Sequence, residues 1–180
     1  MTLITRITGF IAFMALPQIL GYASGSHVRK YSKTYYPELK KPFWAPPPAL
    51  LRTIWPILYL LQGIASYLVW RQKILNNTNV KVQIILYCIQ LFFNVNFCPL
   101  FFRVKSPLLA LFDLFLTLTF AAFATLTYLP VSSTAAFLML PYLGFLVISG
   151  YLCKRVWRLN QGRNLDAVIN QASERPVTVQ

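Results

Sequence analysis

The sequence predicts an all-α integral membrane protein, a bundle of five transmembrane helices. Three observations predict it. Of the 180 residues, 57% are hydrophobic and only 12% are charged, where a soluble domain carries roughly 25% charged residues. Five apolar stretches recur, each close to the ~20 residues that cross a ~30 Å hydrocarbon core. The strings between them are polar or basic, and their cations gather on one side. The length suits one domain.

The first stretch covers residues 4–24. Arg6 in front and the small residues of YASGS behind give it the outline of a signal peptide. Its apolar run is long and interrupted by Pro17, which favours a retained helix. The second stretch, 49–70, follows the string KKPFWAPPP. Proline costs little in the first turn of a helix, where N–H groups lack intrahelical acceptors, and it pushes the preceding residue toward extended geometry. Pro46, Pro47 and Pro48 therefore predict a stiff loop that turns abruptly into a helix, with Trp44 at interface depth. The remaining stretches are 82–102, 108–128 and 135–153, and the second and fifth have room for another turn. Residues 1–160 form the expected bundle, and the polar string 161–180 is expected to be a disordered tail.

Five spans put the first loop, the third loop and the tail on one side of the membrane. That side collects thirteen of the 17 Lys and Arg residues and the other side four, so the C-terminus is expected to face the cytoplasm. The net charge of +13 is topological, and its division among short loops argues against a nucleic-acid partner. His27 is the single histidine, and the acids are Glu38, Asp113, Asp166 and Glu174. Cys88, Cys98 and Cys153 form no CxxC pair. No metal site can be assembled from these residues, and no cofactor is implied. Asp113 falls inside the fourth span, where an ionised acid costs about 2.5–3.5 kcal/mol. It is expected to face the bundle interior, in a helix–helix hydrogen bond or as a step in a proton or cation path.

The run KPFWAPPPALLRTIWPILYLLQGIASYLVW resembles the hallmark of the tryptophan-rich sensory protein/translocator protein family, also called the peripheral benzodiazepine receptor family. Its matching residues are Tyr36, Leu39, Lys41, Pro42, Trp44, Pro46, Pro47, Trp55, Leu58, Tyr59, Gly63, Ser66, Tyr67 and Trp70. Gln90, Asn94, Pro99, Phe101, Phe102, Asp113, the PYL at 141–143, Trp157 and Arg158 continue the pattern, so it extends over residues 10–160. The resemblance implies a five-helix bundle whose ligand cavity is capped by the first loop, which would make the proline run part of a lid. The ligands it implies are cholesterol, porphyrins and haem, and synthetic isoquinoline carboxamides or benzodiazepines. Carried over position by position, the ligand contacts are Tyr36, Leu51, Trp55, Asn94, Leu109, Phe145, Ser149 and Leu152, with Asn94 as a hydrogen-bond donor to a ligand carbonyl.

The family's cholesterol-recognition stretch falls at the end of the fifth span. In register, its Tyr falls on Lys154 and its basic residue on Arg158; shifted, Val147, Tyr151 and Lys154 satisfy the loose pattern. Several family tryptophans are replaced here, by Tyr35, Val95, Phe97, Leu109, Tyr128 and Phe145. Some bacterial members are reported to degrade porphyrins in light using the tryptophans that correspond to Tyr35 and Phe145. Phenylalanine is far harder to oxidise than indole, so no catalytic residue is assigned. Two function classes follow: a receptor or transporter for sterols or tetrapyrroles, and a scaffold that recruits partners through its basic face. The resemblance places the chain in a lipid bilayer, by choice the mitochondrial outer membrane. Small residues such as Gly144 and Ala135 are compatible with a homodimer.

Overall fold

Proline and serine set where the helices start. The computed structural model describes residues 3–31 and 34–163. Its elements are α1 (Leu3–Tyr31), the short α2 (Tyr35–Glu38), α3 (Pro48–Asn76), α4 (Lys81–Cys98), α5 (Pro107–Tyr128) and α6 (Ser133–Asn160). Pro48 and Pro107 open α3 and α5, where the missing N–H has no intrahelical role. Ser106 and Ser132 cap α5 and α6 by accepting from the N–H groups of Leu109 and Ala135. Helix α4 runs on into a π-helical turn, Pro99–Arg103, closed by the Val104 N–H donating to the Pro99 carbonyl at 3.0 Å.

Helices α1, α3, α4, α5 and α6 are each long and apolar enough to cross a membrane, as expected for five spans. The first, second and fifth outrun their apolar stretches, to Tyr31, Asn76 and Asn160. Past the hydrocarbon, water satisfies polar side chains, and Arg29 and Lys30 in the last turn of α1 complement the helix dipole. Most of the expected tail, 164–180, lies outside the described residues.

Each long helix packs mainly on two others, in the ring order α1, α3, α6, α5, α4 and back to α1. The polarity suits lipid as solvent. Gln62, Ser66, Gln90, Asn94, Asp113 and Thr117 point inward and are at most 6% exposed, while Ile11, Ile19, Phe92, Phe112 and Phe123 face outward. Ala135 is wholly buried within the bundle, so it is not available to a second copy; Gly144 opens onto free space.

Prolines inside helices tie α1 to α4. Pro17 has no N–H for the Phe13 carbonyl, which instead accepts from the Tyr87 hydroxyl of α4 at 3.4 Å. Pro99 likewise frees the Val95 carbonyl, and Ser24 of α1 donates to it at 2.7 Å. Freed backbone groups in lipid need such partners, since no water reaches them. Glycines bring α1 against α3: Gly9 and Gly21 lie under the rings of Trp70 and Tyr59. A Cβ on Gly63 would meet the Phe13 carbonyl oxygen at 2.6 Å. That obstacle is backbone and cannot rotate away, so Gly63→Ala should cost about 1–3 kcal/mol of stability, as overpacking does. Thermal unfolding of the purified protein measures it, and an unchanged midpoint would mean that the two helices separate freely.

Candidate functional site

Trp55, Tyr59, Gln62 and Ser66 recur at helical spacing on the inner face of α3. On α6 the inner face carries Tyr142, with Phe145, Ser149 and Leu152 at its half-buried edge. Where the two faces meet, Trp55 lies edge-on to Phe145 with ring centroids 5.3 Å apart, and 5.6 Å from Tyr59. Asn94 of α4 closes the cluster. The Tyr59 hydroxyl donates to Asn94 Oδ1 at 2.7 Å, Asn94 Nδ2 donates to the Tyr142 hydroxyl at 3.0 Å, and Tyr142 donates to Gln90 Oε1 at 3.0 Å. Each hydroxyl gives its one proton, which leaves the second N–H of Asn94 for a further acceptor. The arrangement is an apolar aromatic wall around one oriented amide.

The first loop is clamped to the end of α6. Tyr35 is wholly buried, with its ring against Phe101 and Phe102 and in one cluster with Cys153 and Val156. The Lys40 N–H donates to Asn160 Oδ1 at 3.0 Å, and Asn160 Nδ2 donates to the Lys40 carbonyl at 2.9 Å. Arg163 donates to the Glu38 carbonyl at 3.1 Å and to Asn160 Oδ1 at 2.9 Å. Lys41 Nζ donates to the Tyr36 carbonyl at 2.6 Å and stands 4.2 Å from the centre of that ring. Burial pushes the Tyr36 phenol up; desolvation pulls the Lys41 ammonium down, partly offset by Glu38. Phe97 packs against both the loop cluster and the bundle core, joining the clamp to the aromatic wall.

The expected ligand residues divide. Trp55, Asn94 and Phe145 come together at the wall. Tyr36 packs on Phe102 at 6.2 Å, and Leu152 packs against the Tyr35 cluster beneath the loop. Leu51 and Ser149 are half-buried. Leu109 is 49% exposed in the first turn of α5. Tyr35 and Phe145 sit in separate core clusters. Tyr59, Gln90, Tyr142 and Asn160 complete the site or its clamp and were not among the expected contacts. The first three belong to the sequence pattern, but Asn160 carries no local signal.

Val147, Tyr151, Lys154 and Arg158 form one exposed stripe on α6. The first two line an apolar groove of about 140 Å³ against Leu111, Phe115 and Leu118 of α5. Trp44 stacks on Tyr151, with centroids 5.4 Å apart and planes at 15°, so one face of the tyrosine in the shifted cholesterol-recognition pattern is taken by the loop. A second apolar groove, about 350 Å³, opens between α1 and α4 along Leu16, Leu20, Leu91 and Phe92. At the aromatic wall itself the Trp55 and Phe145 rings are in edge-to-face contact. Asp113 faces inward as expected, but its Oδ2 has no hydrogen-bond partner among the described residues; Thr117 donates to the backbone carbonyl of Asp113.

The sequence profile of the TspO/MBR family matches residues 13–158. The chain is similar to the translocator protein of Bos taurus, 36% identical over 153 residues that cover 85% of this chain and 90% of the relative. It is 34% identical to the translocator protein of Homo sapiens over 152 residues, 84% of this chain and 90% of the relative. With the tryptophan-rich protein TspO of Archaeoglobus fulgidus it shares 31% identity over 160 residues, 89% of this chain and 99% of the relative.

Proposed function

Since the chain belongs to the TspO/MBR family of multi-pass membrane proteins, we propose that it is a receptor or transporter-like protein for flat, largely apolar ligands. The ligand classes are cholesterol or another sterol, and porphyrin or haem. The observation that carries this reading is the wall of Trp55, Tyr59 and Phe145 around the oriented Asn94 amide, beneath a loop clamped to α6. A flat ring system gains apolar contact from the wall, and a carbonyl or carboxylate on it takes the remaining Asn94 N–H. Entry requires Trp55 and Phe145 to turn aside, which puts the loop in the role of a gate. The reading is non-catalytic: Phe145 lacks the oxidisable indole and Tyr35 packs apart from it. We place the protein in the mitochondrial outer membrane with its C-terminus cytosolic, in a family that also has archaeal members.

The test is a porphyrin titration of variants that keep one tryptophan each. Trp55 fluorescence should be quenched saturably. Trp70, packed against Phe13 at the other end of α3, should respond much less. Linear, unsaturated quenching, or equal quenching at both positions, would remove the site.

A further inference from the structure

Gln62 is wholly buried, and neither its Nε2 nor its Oε1 has a hydrogen-bond partner among the described residues. Gln90 is also wholly buried; its Oε1 accepts from Tyr142, but its Nε2 has no partner. The two amides share a level. Tyr59 and Asn94 are joined across α3 and α4, Gln62 lies three residues after Tyr59, and Gln90 lies four before Asn94. The helices run in opposite directions, so both steps lead the same way along the bundle, about one turn each.

Two unfilled amides in lipid are costly, since each orphaned polar group keeps its full desolvation penalty. Neither side chain can reach water outside the bundle. We propose that Gln62 and Gln90 form an internal water-binding site at the centre of the bundle. The site offers donors from both Nε2 groups and an acceptor at Gln62 Oε1, within the two to four polar partners that a buried water requires. The alanines at 65, 121, 124, 135 and 136 are buried in the adjoining core, beside larger side chains such as Leu114 and Met139.

The site has a consequence for Asn94. Water accepting from Gln90 Nε2 turns Gln90 Oε1 toward Tyr142, so the Tyr142 hydroxyl donates to Gln90 and accepts from Asn94. The Asn94 amide is then fixed with its oxygen on Tyr59 and its nitrogen free to donate once more. With the water in place, the polar chain runs without a gap from Tyr59 through Asn94, Tyr142 and Gln90 to Gln62. The backbone carbonyl of Gln62, not its side chain, accepts from Ser66 Oγ, which is bonded to the Tyr128 hydroxyl at 2.9 Å. This does not depend on which ligand the protein binds.

Radiolytic hydroxyl labelling read by mass spectrometry tests it, because buried side chains are labelled only beside bound water. Tyr142 is wholly buried and should nonetheless be labelled in the wild-type protein. Gln62→Met, which keeps the bulk and removes the amide, should cut that labelling roughly fivefold or more by removing a partner from the water, while exposed Tyr151 is labelled as before. Gln62→Asn, which keeps an amide, should retain part of it. An unlabelled wild-type Tyr142 overturns the proposal on its own, whatever the variants do. Equal labelling in wild type and Gln62→Met overturns it too.

Discussion

Asn160→Ala is expected to release the first loop and to speed porphyrin dissociation roughly tenfold or more, at about 1.4 kcal/mol per factor of ten. The Asn160 side chain pairs with both the N–H and the carbonyl of Lys40 and also accepts from Arg163. Alanine removes these three bonds at once, together with a fourth, from Asn160 Nδ2 to the Val156 carbonyl of its own helix. A typical bond contributes about 0.5–1.5 kcal/mol net, so the two to the loop alone amount to about 1–3 kcal/mol. The Tyr35 cluster remains and holds the base of the loop, while the segment around Lys40 is freed to move. Two measurements follow: dissociation rates by displacement, with Trp55 as reporter, and trypsin cleavage after Lys40, since Pro42 protects the bond after Lys41. Both should rise together. Arg163→Met should have a smaller effect, because Asn160 still holds both polar groups of Lys40. Unchanged dissociation in Asn160→Ala, with the loop still uncut, would show that the clamp does not gate the site.

What could be read in the sequence follows from which forces are local. Span number came from hydrophobic length, and the start of α3 came from the fixed backbone of Pro48, because both depend only on neighbouring residues. The inward turn of Asp113 was legible because charge in lipid has few alternatives. Helix ends were harder. Once past the hydrocarbon, nothing in RKY or WRLN stops a helix, and α1 and α6 ran on to Tyr31 and Asn160. The Asn160–Lys40 pair joins residues 120 apart in sequence, and no spacing rule predicts it. Tyr151 illustrates a different gap. Its position on an exposed stripe follows from helical periodicity, but the stacked Trp44 comes from a distant loop and changes what the ring can offer. Trp55, Asn94 and Phe145 were singled out through resemblance; the chain of protons that orients Asn94 needed the fold.

Tyr142→Phe removes one oxygen and should cost about 1–3 kcal/mol of stability, the range for orphaning buried polar groups. The Tyr142 hydroxyl accepts from Asn94 and donates to Gln90, so its loss strands Asn94 Nδ2 and Gln90 Oε1 in the bundle interior. A side-chain hydrogen bond between membrane helices averages only ~0.6 kcal/mol, because separated helices find other partners in the bilayer. The larger figure applies here since one hydroxyl serves two buried amides, and phenylalanine offers neither a replacement. The change should also weaken ligand binding: an Asn94 amide no longer held by Tyr142 can rotate and turn its oxygen toward a ligand carbonyl. A double-mutant cycle isolates the mechanism. If the cost of Tyr142→Phe lies mainly in the stranded amide, adding Asn94→Leu removes that amide, and the pair should be less destabilised than the sum of the two single variants. Unfolding midpoints of the four proteins give the coupling. Strict additivity would mean that the cost of losing the hydroxyl lies at Gln90 and not in a stranded Asn94 amide.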